Sequence, residues 1–190
     1  MTNKPNTNAS TKVITGEVRL SYAHLFEPRP GMNPGDAPKY STSILIPKSD
    51  KDTLRKIKAA IDAATAAGLP LWGGKIPPNL RNPVRDGDTE RPDDPAYEGH
   101  YFMNLSSKNK PGIVDRRLQP ITDSSEVYSG CYARVSMNFF PYNHSGNRGV
   151  SAGLNNVQKL RDGDYLGGRS RAEDDFDAVD FSDDDDDIFG

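Results

Sequence analysis

From Cys131 to Tyr142 the chain alternates by parity without a break. Cys131, Ala133, Val135, Met137 and Phe139 fall on one side, and Tyr132, Arg134, Ser136, Asn138, Phe140 and Tyr142 on the other. A period of two is the pleat of an extended strand, which sends successive side chains to opposite faces. Slipping the pairing by one residue would put the whole apolar set in water, so the register is fixed by burial. The first set suits the inside of a small barrel. The second leaves three aromatic rings, a guanidinium and two hydrogen-bonding groups on an outer face.

Four further segments read as strands: residues 13–22, 39–47, 100–108 and 150–160. In the first, Val18, Leu20 and Tyr22 alternate with Glu17, Arg19 and Ser21. In the third, Tyr101, Met103 and Leu105 oppose His100, Phe102, Asn104, Ser106 and Lys108. One amphipathic helix is predicted after the second strand. Ser49 or Asp50 caps it, Leu54, Ile57, Ile61 and Ala64 form its apolar stripe, and Gly68 with Pro70 ends it. Residues 70–99 read as a long irregular excursion, of the length that is either functional or disordered. With 17 glycines, 15 prolines and only 34% apolar residues, the chain favours turns and strands over a bundle. The expected fold is mainly β: an OB-fold-like five-stranded barrel with one helix and a long loop insertion. The usual helix of that barrel follows the third strand, so either a strand escapes this count or the helix sits elsewhere. The expected organisation is a flexible arm (1–11), a nucleic-acid-binding domain (12–165), and a linker with a disordered acidic tail (166–190).

The charge is divided along the chain. Against 24 Lys+Arg stand 27 Asp+Glu, yet ten of those carboxylates lie in residues 172–190, which hold no lysine or arginine. Residues 1–171 are therefore net basic, about +7, and the tail is about −10. A basic body suits a polyanionic partner, and the tail resembles such a partner closely enough to compete for the same surface. An acidic run is also what a plain solubilising tail looks like. Phe176, Phe181, Ile188 and Phe189 interleave with the acids, however, and exposed rings suit a docking peptide better. Phe181, Asp183, Asp184, Asp185, Asp186, Asp187, Ile188 and Phe189 are the expected partner-binding set.

Aromatic rings beside cations form a platform for single-stranded nucleic acid: bases stack on the rings and cations track the phosphates. The candidate stackers are Tyr132, Phe140, Tyr142 and Phe102, and the candidate phosphate contacts Arg134, Arg19, Lys108, Arg116 and Arg117. The competing reading packs these rings beneath the helix or the long loop. Catalytic patterns are sparse. His24, His100 and His144 stand apart, the lone Cys131 can form neither an internal disulfide nor a zinc site, and no phosphate-binding glycine loop is present. The one carboxylate cluster of the body, Asp86, Asp88, Glu90, Asp93 and Asp94, leaves a metal-dependent nuclease as an alternative. A DNA-mimicking interaction protein is another. No cofactor is expected, and the absence of a long apolar run points to a cytoplasmic protein.

Three stretches also carry a resemblance. NPVRDGDTERPDDPAYEGHYFMNLSSKNKPGIVD (82–115), SGCYARVSMNFFPYN (129–143) and GVSAGLNNVQKLRDGD (149–164) resemble a phage family long catalogued without a function. Some of its members are taken to be OB-fold single-stranded DNA-binding proteins. The tail is similar to those of bacterial and phage replication single-strand binders, which end in acids plus a terminal aromatic; here the end is Ile188-Phe189-Gly190. The resemblance implies binding of single-stranded DNA, with RNA left open, a role in phage replication, recombination or repair, and replication or recombination proteins as partners of the tail. Neither pattern nor resemblance fixes the oligomeric state.

Overall fold

The computed structural model describes residues 10–31, 33–167 and 176–179. In chain order these form β1 (Lys12–Ile14), β2 (Val18–Arg29), β3 (Lys39–Pro47), α1 (Lys51–Gly68), β4 (Arg85–Asp86), the single turn α2 (Gly87–Glu90), β5 (His100–Ser107), β6 (Gly112–Val114), β7 (Tyr132–His144) and β8 (Asn147–Arg161). Strands β2, β3, β5, β8 and β7 pair in that order, and β7 returns to β2, so five strands close a ring. Every pairing in the ring is antiparallel except β5 with β8, which run parallel through Ser106 and Gly153. The ring strands are the five that the alternation marks.

The barrel interior takes one parity from each strand. Val18 and Leu20, Ile44 and Ile46, Met103 and Leu105, Val135 and Met137, and Leu154 and Val157 are all buried in one cluster. Leu154 and Val157 are three apart and still both face inward. The register slips between Ser136 and Met137, whose partners are Asn156 and Leu154, so a bulge at Asn155 absorbs the extra residue.

The expected strand over 13–22 is two pieces. Val13 pairs with Met137 and Val18 with Ala133, both on the same edge of β7, and a kink at Thr15 and Gly16 separates them. Thr53 in the first turn of α1 fills that kink, accepting the Gly16 N–H at 2.9 Å and donating to Asp50 at 2.6 Å. Asp50 is the N-cap, its carboxylate accepting the Thr53 N–H. α1 buries Ile57, Ala60 and Ala64 against β1 and β7. It follows the second ring strand, or the third if the short β1 is counted, which resolves the ordering left open by the sequence.

The long excursion is structured. β4 pairs with β5, Arg85 opposite Phe102, and the segment lies on the outer face of the β3–β5 pair. There Leu45, Tyr97 and Phe102 make a second buried cluster, with the Tyr97 ring edge-on to Phe102 at 5.1 Å. A clasp holds it down. Lys48 Nζ lies 2.7 Å from both Asp86 and Asp88, and Asp88 also accepts the Gly99 N–H at 2.9 Å. The shared ammonium holds both carboxyls below their ordinary value and raises the lysine.

Candidate nucleic-acid interface

With half of the β3–β5 outer face covered, the other half forms an open strip. Register places Ser43 beside Asn104, Ser41 beside Ser106, and Ser106 beside Gly153. The strip is floored by small polar groups and stays shallow. A side chain at Gly153 would meet the Phe140 ring at 3.7 Å, so Phe140 leans from β7 across β8 toward Ser106. Phe140 is 45% exposed.

Tyr22 stands at the opposite margin. Pairing of β2 with β3 slips between Ser21 and His24, and Tyr22 takes a φ of +47° at the slip. That left-handed turn throws its ring outward, 54% exposed, while Ser21, opposite Ser43 on the outer face, is covered by the excursion and accepts a hydrogen bond from the Tyr97 hydroxyl at 3.2 Å. The alternation reads Tyr22 as a core residue; the bulge reverses it. Arg91 lies 5.9 Å from the Tyr22 ring and 5.5 Å from Tyr97, where the excursion borders the strip. The sequence reading missed both residues, since no residue of the strand signals where the bulge falls.

At the hairpin ends the strip opens into a groove of about 950 Å³, its lining including Arg29, Lys39, Ser41, Ser106, Lys108 and His144. Its walls are the β2–β3 and β7–β8 connections, the same pair of loops with which OB barrels flank their ligand face. Lys108 lines this groove, and Phe140 stands on the strip beside Gly153. His24, half-buried at the strip edge, is held below its ordinary value by burial and then by Arg29, and adds little positive charge at neutral pH.

Other expected residues go elsewhere. Phe102 is a correction: its parity is outward, but the excursion covers it to 1% exposure, so no base can reach its ring. Tyr132 is half-buried at the far end of β7. Arg161 lies 3.7 Å from its ring centre and is itself paired with Glu17 at 2.7 Å, so one ring face is taken. Arg19 donates to the carbonyls of Gly130 and Asp164, fastening the segment after β8 to the barrel. Arg134 is exposed and bonds the Thr15 carbonyl at 3.1 Å. Tyr142 is half-buried, its carbonyl accepting the Trp72 indole N–H at 3.1 Å. Arg116 and Arg117 are exposed on the turn after β6, away from the groove. Phe181, Asp183, Asp184, Asp185, Asp186, Asp187, Ile188 and Phe189 lie outside the described residues; Phe176 and Val179 within them are exposed.

Four of the five carboxylates offered as a nuclease centre are engaged in the fold, and Asp93 is exposed. Asp86 and Asp88 hold Lys48, Glu90 pairs with Arg85 at 2.9 Å, and Asp94 accepts the Ala96 N–H. Among the described residues no three His, Cys, Asp or Glu groups converge as metal ligands, and no helix is long and apolar enough to cross a membrane.

An open strip with a ring at each margin and a cationic groove at one end is the arrangement to compare with known proteins. The family model for the single-stranded DNA-binding protein of Enterobacter phage Enc34 matches residues 11–189. The chain belongs to this family. Protein p50 of Acyrthosiphon pisum secondary endosymbiont phage 1 is 35% identical over 179 residues, 88% of this chain and 94% of that protein. The Enc34 protein solved in complex with single-stranded DNA is similar at a TM-score of 0.72 and 25% identity, covering 83% of this chain and 90% of that one. The single-stranded DNA-binding protein gp2.5 of bacteriophage T7 shares the fold, with a TM-score of 0.59 at 16% identity over 90% of this chain and 97% of its own. Membership in the Enc34 family and the closed five-stranded ring agree with the expected OB-like class.

Proposed function

We propose that this protein is a non-enzymatic, sequence-tolerant binder of single-stranded DNA, acting in phage DNA replication, recombination or repair in the host cytoplasm. The observation that carries this reading is the strip between Tyr22 and Phe140, continuous with the groove of Arg29, Lys39 and Lys108. Bases stack on Phe140 and Tyr22, each worth roughly 1–3 kcal/mol whatever the base. The serine and asparagine floor meets sugars and base edges, and the groove cations neutralise phosphates. Tyr142 extends the platform beyond Phe140, and Arg134 extends its charge along β7. Tyr132 and Arg19 support it from below by holding the segment after β8.

The acidic tail has two roles in this proposal. Leu166 and Gly167 lie with Tyr22 and His24 around one depression, so the chain leaves the fold at the margin of the strip. A tethered polyanion starting there has a high effective concentration over the groove and displaces weakly held DNA. Once DNA wins, the tail is freed to present Phe181, Ile188 and Phe189 to replication or recombination proteins. Mobility shifts with single- and double-stranded oligonucleotides, full-length against a chain ending at residue 171, test this at two salt concentrations. Tighter single-strand binding after truncation supports the competition; equal binding removes it. Failure of both forms to bind single strands removes the function itself.

A further inference from the structure

The turn after β6 has a feature that the strip does not use. Leu118 is 68% exposed and holds a φ of +65°, a conformation that leucine rarely adopts. The turn is braced on every side. Asp115 accepts the N–H groups of Arg117 at 2.8 Å and Gln119 at 3.0 Å through its carboxylate, and that of Leu118 at 3.1 Å through its carbonyl. Its own N–H bonds the Gln119 carbonyl at 2.9 Å. Pro120 bridges to Val114, and the Ile121 N–H returns to Ile113 at 2.9 Å. Gln158 of β8 reaches the Asp115 carbonyl from below at 3.5 Å. The result is a fixed tip on which an apolar side chain directly follows two exposed arginines, Arg116 and Arg117. Neither arginine forms a salt bridge among the described residues.

Burial does not explain Leu118, which stays outside the core although Ile113 before the turn joins it and Ile121 after the turn packs against it. An apolar wedge beside cations fits a base step that is already weakly stacked, with a phosphate on either side. The tip lies away from the groove, and strand β8 joins it to the strip. Gly153 of the strip and Gln158 under the tip are on one strand, about 17 Å apart at the usual rise. Past Gln158 a shallow groove beside the turn brings Arg116, Arg117, Lys159 and Arg161 together with Asp115, Glu126 and Asp162.

We propose that Leu118 is a wedge for the single-strand to double-strand junction: it inserts at the last base pair while Arg116 and Arg117 hold the flanking phosphates. This rests on the single-strand reading above, and it adds a second DNA structure, the fork, to what the protein recognises. A strand lying in the strip would then lead back to a duplex end held open at this tip.

The test uses the full chain, a plain single-stranded oligonucleotide, and a forked duplex carrying 2-aminopurine at the junction pair. Leu118→Gly and Leu118→Asn both tolerate the left-handed backbone while removing the wedge, so folding is preserved. Each is expected to bind the plain oligonucleotide as the parent does and to lose at least threefold of the junction fluorescence increase. Arg116→Gln with Arg117→Gln should weaken fork binding. Equal junction opening by the Leu118 variants overturns the proposal. So does a proportional loss on both substrates, which marks a structural residue or an ordinary strip contact. If the parent binds no single strand, the underlying function fails; if it binds single strands but opens no junction, only the wedge fails.

Discussion

The guanidinium carbon of Arg161 lies 3.7 Å from the centre of the Tyr132 ring, and Arg19 approaches the same ring at 5.4 Å. Gly163 packs against it as well, where a side chain would come within 2.7 Å. Tyr132 therefore serves as a post to which the chain beyond β8 is tied. Tyr132→Ala is expected to cost stability of about 1–2 kcal/mol, because the ring no longer packs against Gly163 or attracts the two guanidiniums. The readout is a lower thermal midpoint. Its single-strand affinity should fall less than that of Phe140→Ala.

Phe140→Ala removes a stacking surface and no charge. Affinity for oligodeoxythymidylate should fall roughly 5- to 150-fold, the equivalent of one stacked base, with an unchanged slope of log affinity against log salt. Lys108→Ala should behave in the opposite way, lowering that slope by about 0.7 for each phosphate left without its cation. Titrations across a salt series separate the two.

Tyr22 invites a substitution with two opposed effects. At φ +47° a glycine relieves backbone strain of order 1 kcal/mol, so Tyr22→Gly should hold or raise the thermal midpoint. The same change removes a margin of the strip and should weaken single-strand binding several-fold. Differential scanning calorimetry and a binding titration on one sample check both.

The clasp on the excursion predicts a pH dependence. The Asp86 and Asp88 carboxyls titrate below their ordinary value of 3.8 because Lys48 is paired with both. Their contribution to stability is thus present above that value and disappears as pH falls through their lowered folded values. Acidification should loosen residues 85–99 before the ring strands, and Lys48→Met should do so at neutral pH. Amide hydrogen exchange of the excursion, compared with β7, reads the difference.

The barrel was legible because its strands are half-buried. Each needs one apolar parity, and in β7 that pattern survives from Cys131 to Phe139 with no exception. The helix was legible from its cap and its apolar stripe. The pattern could not show what covers an outward side chain. Phe102 and Phe140 have the same parity signal, yet the first lies beneath Tyr97 and the second beside Gly153. That difference depends on where residues 70–99 settle, which rests on non-local contacts such as Lys48 with Asp86. Tyr22 was misread for a local reason: a bulge inverts the sides of a strand, and no residue in SYAHL marks where it falls.

Photo-crosslinking of an oligodeoxythymidylate to the intact protein, followed by mass spectrometric mapping of the modified peptides, locates the bound strand. Adducts on Phe140 and Tyr22 are the predicted result, with Lys108 protected from acetylation in the same complex. Adducts confined to other surfaces, with Phe140, Tyr22 and Lys108 all unaffected by DNA, would contradict the assignment of the strip as the path of the strand.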